Sequence, residues 1–293
     1  GDASTMTSGV PGGDDERLVF TENNPTRELQ AAGRLAGSAR ALKHLNPALA
    51  EDCLNIAKEL FDVTKGGGET QRTAYDPGET AKDMTENMRI FAACELFLST
   101  GDAKYKEFIL SSLPYILSNI DEIGWCVCRC VHELQDAAFT AAIRDAACKY
   151  KEKLKELCSE TPYGIPYRPH IWGAGWGIQE MAFCYYFIQK AFPDLFTKDL
   201  LFDSLHFVLG CHPGSNTASF ASGIGAKSNL TAYGANRADW SFIPGGVSSG
   251  TALIRPDFPE LLEFPFLWQQ GEYVIGGGST NYMFLVLAVK NAL

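Results

Sequence analysis

The sequence predicts an all-α protein built as a closed ring of helical hairpins, and three observations support this fold class. Over residues 26–207, apolar side chains return every three or four positions, which is the period of an amphipathic helix. The helical segments follow one another through very short turns, and no segment carries a strong strand signal. No residue pattern repeats at a fixed period, so a closed barrel is favoured over an open solenoid.

Capping and turn residues divide the chain into nine predicted helices. Asn46-Pro47 supplies an N-cap and a first-turn proline between the first two helices, and Gly101-Asp102 ends one helix and caps the next. The last segment is too apolar for the solvent-facing cap that ends a solenoid, which also favours a closed barrel. We predict one domain over residues 1–293, with an irregular start over residues 1–20. The predicted helices are 26–45, 48–63, 80–99, 103–119, 124–133, 136–157, 177–192, 197–209 and 280–292.

The composition excludes several classes of partner. The net charge of −10 and the pI near 5.0 argue against a nucleic-acid ligand, because no basic stripe is present to neutralise phosphates. No apolar run reaches the roughly 18 residues that a membrane span requires. Residues 1–15 are small and acidic, which is unlike a secretion signal.

One short run of cysteines invites a metal hypothesis. Cys126, Cys128, Cys130 and His132 alternate with other residues. Tetrahedral metal sites usually draw their ligands from two separated segments, whereas this run is continuous. We therefore favour burial of Cys126 and Cys130 one helical turn apart, as free thiols, and we predict neither a metal nor a cofactor.

Two loops have the composition of a sugar-binding cleft. The first, over residues 163–176, is rich in proline and glycine and is predicted to be irregular. The second, over residues 233–240, belongs to the stretch 210–278, which is far longer than an ordinary connection and is therefore predicted to carry function. Aromatic faces pack on pyranose rings and polar side chains bind their hydroxyls, although the same aromatics would also fill the end of a barrel. The candidate ligand-binding residues are Tyr167, His170, Trp172, Trp176, Asn236, Arg237 and Trp240.

Glu272 is the candidate catalytic residue. It lies just before the triple glycine 276–278, at the entrance of the last apolar helix. Partial burial would raise the pKa of its carboxyl group and keep it protonated near neutrality, as a general acid requires. Compensation of a helix dipole is the competing explanation for an acidic residue in this position.

Four segments, in order along the chain, resemble glycoside hydrolase family 9. Residues 205–225 are similar to the family's leucine-glycine-x-asparagine-proline stretch and the serine-aromatic-x-x-glycine-x-glycine turn that follows it. Residues 92–105 resemble its alanine-rich helix ending in threonine-glycine-aspartate, and residues 172–177 its tryptophan-glycine-serine-asparagine turn. Gly271-Glu272 and the last helix stand where the family has an asparagine-glutamate pair and an apolar helix.

The resemblance implies an (α/α)6 barrel, which has more helices than the nine predicted, so we expect a barrel that is incomplete on its N-terminal side. It also implies an inverting glycoside hydrolase of cellulase or glucanase type, acting on a β-linked glucan or a related carbohydrate, with Glu272 as the general acid. In inverting enzymes the base is a second carboxylate about 6.5–9.5 Å away. The family's aspartate-alanine-glycine-aspartate motif is absent from this sequence, so the base is expected outside this chain, in a missing N-terminal part of the same protein.

Further expectations rest on this resemblance. The family's histidine-histidine-arginine triplet is represented by Ala235-Asn236-Arg237, which indicates altered substrate recognition. Asp257 is placed at an acidic position before the glutamate, and the family implies a periplasmic or secreted protein. Two alternatives stay open: a glycan-binding protein with a hydrolase-like cleft and no base, and a polysaccharide lyase or sugar epimerase using His170 or Tyr167.

Overall fold

The computed structural model describes residues 24–64, 84–159, 164–166, 174–211, 218–225, 227–228, 244–247 and 277–293. Within these ranges almost all of the chain is helical, which confirms the predicted all-α class. Residues 1–92 and residues 93–293 form two compact units, and the division falls within the third helix. The irregular start predicted for residues 1–20 lies outside the described residues.

The described residues form ten helices and two very short strands. The helices are α1 (Pro25–Leu42), α2 (Pro47–Val63), α3 (Thr85–Thr100), α4 (Ala103–Ser111), α5 (Leu113–Ser118), α6 (Ile120–Cys128), α7 (Ala137–Ser159), α8 (Ala174–Ala191), α9 (Asp199–Val208) and α10 (Gly277–Ala292). Strands β1 (Ala218–Ser219) and β2 (Lys227–Ser228) pair in parallel.

In the first unit, α1 and α2 form the predicted helical hairpin. An asparagine caps each helix: Asn24 accepts a hydrogen bond from the backbone N–H of Arg27 at 3.1 Å, and Asn46 accepts one from Leu49 at 3.2 Å. A proline follows each asparagine, where its missing N–H costs nothing and its fixed φ suits a helix. These two helix starts are therefore fixed by local sequence.

Two of the predicted helix bounds in the second unit are wrong. The helix predicted over residues 103–119 is two helices, because Ser112 leaves helical geometry with ψ 2° and Pro114 starts a new first turn. The helix predicted over residues 124–133 begins earlier, at Ile120, and ends at Cys128. Turns occupy residues 129–135, and the last of them, Gln135, has a φ of 51°.

Helices α8 and α10 are neighbours that run in the same direction. Near their starts, Gly278 packs against the indole of Trp176. Further along both helices, the rings of Phe183 and Phe284 lie 4.8 Å apart, and those of Tyr186 and Phe284 lie 5.3 Å apart. The loops that precede these two helices therefore arrive at the same end of the second unit.

Helix α9 runs in the opposite direction and returns the chain to that end. At its start, the Lys198 ammonium donates a hydrogen bond of 2.9 Å to the carbonyl of Ala292, the last residue of α10. At its finish, Phe207 and Val208 are buried with Ile178 from the start of α8, and Tyr282 from the start of α10 packs against them. Two parallel helices, here α8 and α10, that are connected through an antiparallel helix, here α9, form the repeating unit of an (α/α) barrel.

Candidate active site

Among the residues proposed from sequence, the structure describes Trp176 alone. The other eight lie outside the described residues: Tyr167, His170, Trp172, Asn236, Arg237, Trp240, Asp257 and Glu272. Their roles therefore stay predictions. The described residues nevertheless define where the two candidate loops leave and rejoin the fold.

The predicted loop position of Trp176 is wrong. Helix α8 begins at Ala174, so Trp176 lies in its first turn and is half-buried. Each glycine lowers helix stability by about 1 kcal/mol relative to alanine, and the glycines beside Trp176 therefore predicted an irregular segment. Tertiary packing of an apolar helix face outweighs that preference, and Gly175 and Ile178 are both buried here.

Gly278 fits tightly against the Trp176 indole. A Cβ atom at position 278 would lie 2.5 Å from the indole Nε1 and 2.9 Å from Cδ1. Both distances are shorter than any comfortable contact, so a side chain at this position would displace the ring. Gly277 and Gly278, predicted only as part of the entrance to the last helix, thus belong to that helix, and Gly278 sets the approach of α10 to α8.

We expect Gly278→Ala to move the Trp176 indole, because the added methyl group would overlap the ring. Overpacking of this kind typically costs about 1–3 kcal/mol of stability. Urea unfolding measures the loss of stability, and near-UV circular dichroism reports the displacement of the ring. Gly101→Ala is the control, because its Cβ would meet no atom within 4 Å, although its backbone, with φ 70°, is strained by alanine. A change in the near-UV spectrum of Gly101→Ala as large as that of Gly278→Ala would contradict the prediction.

The first candidate loop is anchored on both sides. Ile165, just before residues 167–173, is fully buried in a cluster with Ile178 of α8 and Phe207 of α9. Trp176, just after them, is held against Gly278. Both anchors lie where α8 and α10 begin and α9 ends.

The second candidate loop also leaves from this region. The backbone N–H of Phe220 donates to the carbonyl of Val208 at 2.8 Å, which ties the segment containing β1 to the end of α9. Residues 244–247 pair with the same segment. The backbone N–H of Ser222 donates to the carbonyl of Gly246 at 2.9 Å, and the N–H of Gly245 donates to the carbonyl of Ser222 at 3.0 Å. Residues 229–243 therefore start and finish beside one short β element.

Sequence reasoning missed Gln179. It lies one turn after Trp176 on α8, is fully buried, and neither of its amide atoms has a hydrogen-bond partner among the described residues. Nothing in its local pattern marked it, because a glutamine in a helix is ordinarily a solvent-facing residue.

The cysteine run is buried, as predicted. Cys126 and Cys130 are at most 1% exposed, and their thiols donate to backbone carbonyls three residues earlier, at 3.0 and 3.4 Å. Hydrogen bonds with these two thiols, and then burial, raise the pKa of Cys94. Neutral thiols that bond to each other and to carbonyls are poor metal ligands. Among the described residues no group of three or more His, Cys, Asp or Glu side chains is arranged to hold a metal ion.

The all-helical fold and the clustered ends of the two loops define a class of protein, the (α/α) barrels. Comparison with known sequences identifies the family within that class. Residues 5–238 match the sequence model of glycosyl hydrolase family 9, and the chain belongs to this family. The matched range ends before Asp257 and Glu272.

Similar proteins agree with this assignment. A cellulose 1,4-beta-cellobiosidase from Acetivibrio thermocellus is 30% identical over 95 residues, which is 30% of this chain and 10% of the relative. A thermostable endoglucanase from Alicyclobacillus acidocaldarius superposes with a TM-score of 0.72 at 15% identity, over 94% of this chain and 57% of that one. An endoglucanase from the termite Nasutitermes takasagoensis gives 0.65 at 15% identity, over 92% and 66%. The similarity of these structures shows the shared barrel fold, and the chain spans less than two thirds of each relative's length.

No helix in the described part of the chain combines the length and the apolar character that a membrane crossing requires.

Proposed function

We propose that the protein is an inverting glycoside hydrolase acting on a β-linked glucan or a related carbohydrate, with Glu272 as its general acid. Family membership and the cellulase-type relatives support the reaction class. The observation that carries the site assignment is the contact between Gly278 and Trp176. This contact places the start of α10 beside the start of α8. Glu272 precedes α10 in the sequence, and the first candidate loop precedes α8.

The covalent connections limit how far the candidate residues lie from this contact. Glu272 is six residues from Gly278 and Trp172 is four residues from Trp176, so their backbones lie within about 22 Å and 14 Å of those anchors at full extension. An oligosaccharide several units long spans a comparable distance. The chain connectivity is therefore compatible with one shared cleft.

Each proposed residue has a role in that cleft. Tyr167, Trp172, Trp176 and Trp240 would offer ring faces to the apolar sides of sugars, while His170, Asn236, Arg237 and Asp257 would bind hydroxyl groups. Glu272 would protonate the bridging oxygen as its bond to the anomeric carbon breaks. A base aspartate would take a proton from a water molecule, and the resulting oxygen would attack that carbon from the opposite face.

We propose that the base aspartate belongs to a missing N-terminal part of the same protein. The aspartate-alanine-glycine-aspartate motif does not occur within these 293 residues, and the chain covers 57% of the Alicyclobacillus enzyme. Met283 and Leu287 lie one turn apart on α10 and are 60% and 58% exposed, although the sequence predicted a covered last helix. Further helices of the barrel would cover this apolar face. We also propose, from the family, an extracytoplasmic location.

Product analysis on the full-length protein tests this function. Hydrolysis of a soluble β-glucan with inversion releases the α-anomer first, and proton NMR would detect that anomer before mutarotation. A product carrying no added water would identify a lyase, and binding without any product would identify a glycan-binding protein. Either result would overturn the proposal, as would the β-anomer appearing first.

A further inference from the structure

Gln179 has a buried position that its chemistry does not explain. It is fully buried on α8, and both its amide nitrogen and its amide oxygen are without a hydrogen-bond partner among the described residues. A buried polar group that makes no hydrogen bond is strongly unfavourable, and an apolar residue of the same shape would avoid that cost. A buried amide without a partner in the protein is therefore expected to bind a ligand or a water molecule.

The side of α8 that carries Gln179 is the side that meets α10. Residues 176, 179 and 183 are three and four positions apart, so they lie on one face of the helix. Trp176 contacts Gly278 in the first turn of α10, and Phe183 lies 4.8 Å from Phe284 further along it. Gln179 lies between these two contacts and is therefore directed towards the beginning of α10.

The beginning of α10 offers the complementary groups. In a helix the first four backbone N–H groups have no partner within the helix, and α10 is 16 residues long. These donors, at Gly277 to Thr280, lie within about one turn of Gln179 along the shared direction of the two helices. The Gln179 amide can both accept and donate hydrogen bonds, and the first turn of α10 can donate them. A ligand group that also both accepts and donates hydrogen bonds would suit this pair. A hydroxyl group does both, whereas an anion only accepts and a cation only donates.

We propose that Gln179 and the first turn of α10 form a binding site for a hydroxyl group, supplied by a sugar unit in the cleft or by an ordered water molecule. This inference rests on the proposed function for the sugar and for the cleft. The hydroxyl oxygen accepts from a backbone N–H of the first turn of α10, and its proton is donated to the Gln179 Oε1 atom. Gln179 is fully buried, so the hydroxyl reaches it only when a neighbouring side chain moves.

Gln179→Met tests the site, because methionine has nearly the same shape and removes both polar atoms. Gln189→Met is the matched control: Gln189 is 8% exposed on the same helix, ten residues further on and about 15 Å away along the axis. Both variants are made in the full-length protein. Thermal unfolding is measured without ligand, and calorimetric titration with cellotetraose is measured for each.

A site for a sugar hydroxyl predicts that Gln179→Met leaves Tm unchanged or raises it, and that it weakens binding of cellotetraose about tenfold, the worth of one buried hydrogen bond. A site for an ordered water predicts the same Tm behaviour with unchanged affinity and a lower kcat, since the water supports the helix entrance beside the proposed acid. Gln189→Met should change neither affinity nor kcat.

Two outcomes overturn the inference. A clear fall in Tm in Gln179→Met would show that the amide is already bonded within the fold, and unchanged Tm, affinity and kcat together would show that it binds nothing. These outcomes are distinguishable from a failure of the proposed function, because the titration requires no catalysis. Full activity of a Glu272→Gln variant would remove the assigned acid while leaving the binding result intact.

Discussion

Glu272→Gln is expected to lower kcat on a natural oligosaccharide about 10²- to 10⁴-fold, the usual contribution of a general acid, with little change in KM. Glutamine keeps the size of the side chain and most of its hydrogen-bonding ability, so substrate should still bind. Its amide protons are not acidic enough to be transferred to the leaving oxygen. The leaving group would then have to depart from the anomeric carbon as an unprotonated alkoxide. This raises the activation free energy of bond cleavage and therefore lowers kcat without affecting substrate binding.

The leaving group provides a sharper measurement than activity alone. Aryl glycosides with an acidic phenol depart without protonation, so the variant should lose much less activity on them than on the oligosaccharide. Glu263→Gln is the control, because it makes the same chemical change nine positions earlier in the sequence. Equal losses on both substrates, or a Glu263 variant as impaired as the Glu272 variant, would remove Glu272 from the role of acid.

The helical hairpins were predictable from sequence because local signals and tertiary packing agree there. Asn24 and Asn46 cap helices in the structure, and Asp102 accepts a hydrogen bond from the N–H of Lys104 at 2.9 Å to cap α4. The break at Ser112 was missed although Pro114, two residues later, is a helix-breaking signal, because the apolar period was given more weight than the proline. A helix interrupted for one residue keeps its apolar period on both sides, so periodicity alone cannot detect the interruption.

The parts of the site that sequence reasoning misjudged depend on contacts between distant residues. Trp176 was assigned to a loop because its neighbours are glycines, yet it lies in the first turn of α8, where Gly278 permits the close packing of α10 on α8. A glycine inside an apolar helix pattern often has a packing reason, and the triple glycine at 276–278 was the available signal. Gln179 had no such signal. Its significance comes from the face of α8 on which it lies, and that face is defined only by the position of α10.

Arg129→Met is expected to lower the free energy of unfolding by about 1.5–3 kcal/mol, the usual contribution of a hydrogen bond to a charged group. The guanidinium of Arg129 donates a hydrogen bond to the carboxylate of Glu95, whose side chain is 2% exposed. Arg129 also lies over the ring of Phe187, 5.0 Å from its centroid, so it links α3, the turn after α6, and α8 within the second unit. Methionine keeps much of the apolar contact with the ring, but the buried carboxylate loses the hydrogen bond and the positive charge of this guanidinium.

An exposed ion pair of similar composition, Arg144–Asp194, shows whether the effect on stability depends on burial of the pair or only on its presence. Arg144 bonds to Asp194 and lies 5.8 Å from the Phe192 ring, yet both members of this ion pair are exposed to solvent, Arg144 at 40% and Asp194 at 63%. Arg144→Met should therefore change stability far less, because water already screens that pair. Urea unfolding monitored by circular dichroism measures both variants, and a Glu95→Gln/Arg129→Met double variant should recover part of the loss by removing the buried charge. If the two arginine variants lose the same stability, burial of Glu95 is not what makes Arg129 important, and the aromatic contact that both arginines share becomes the better explanation.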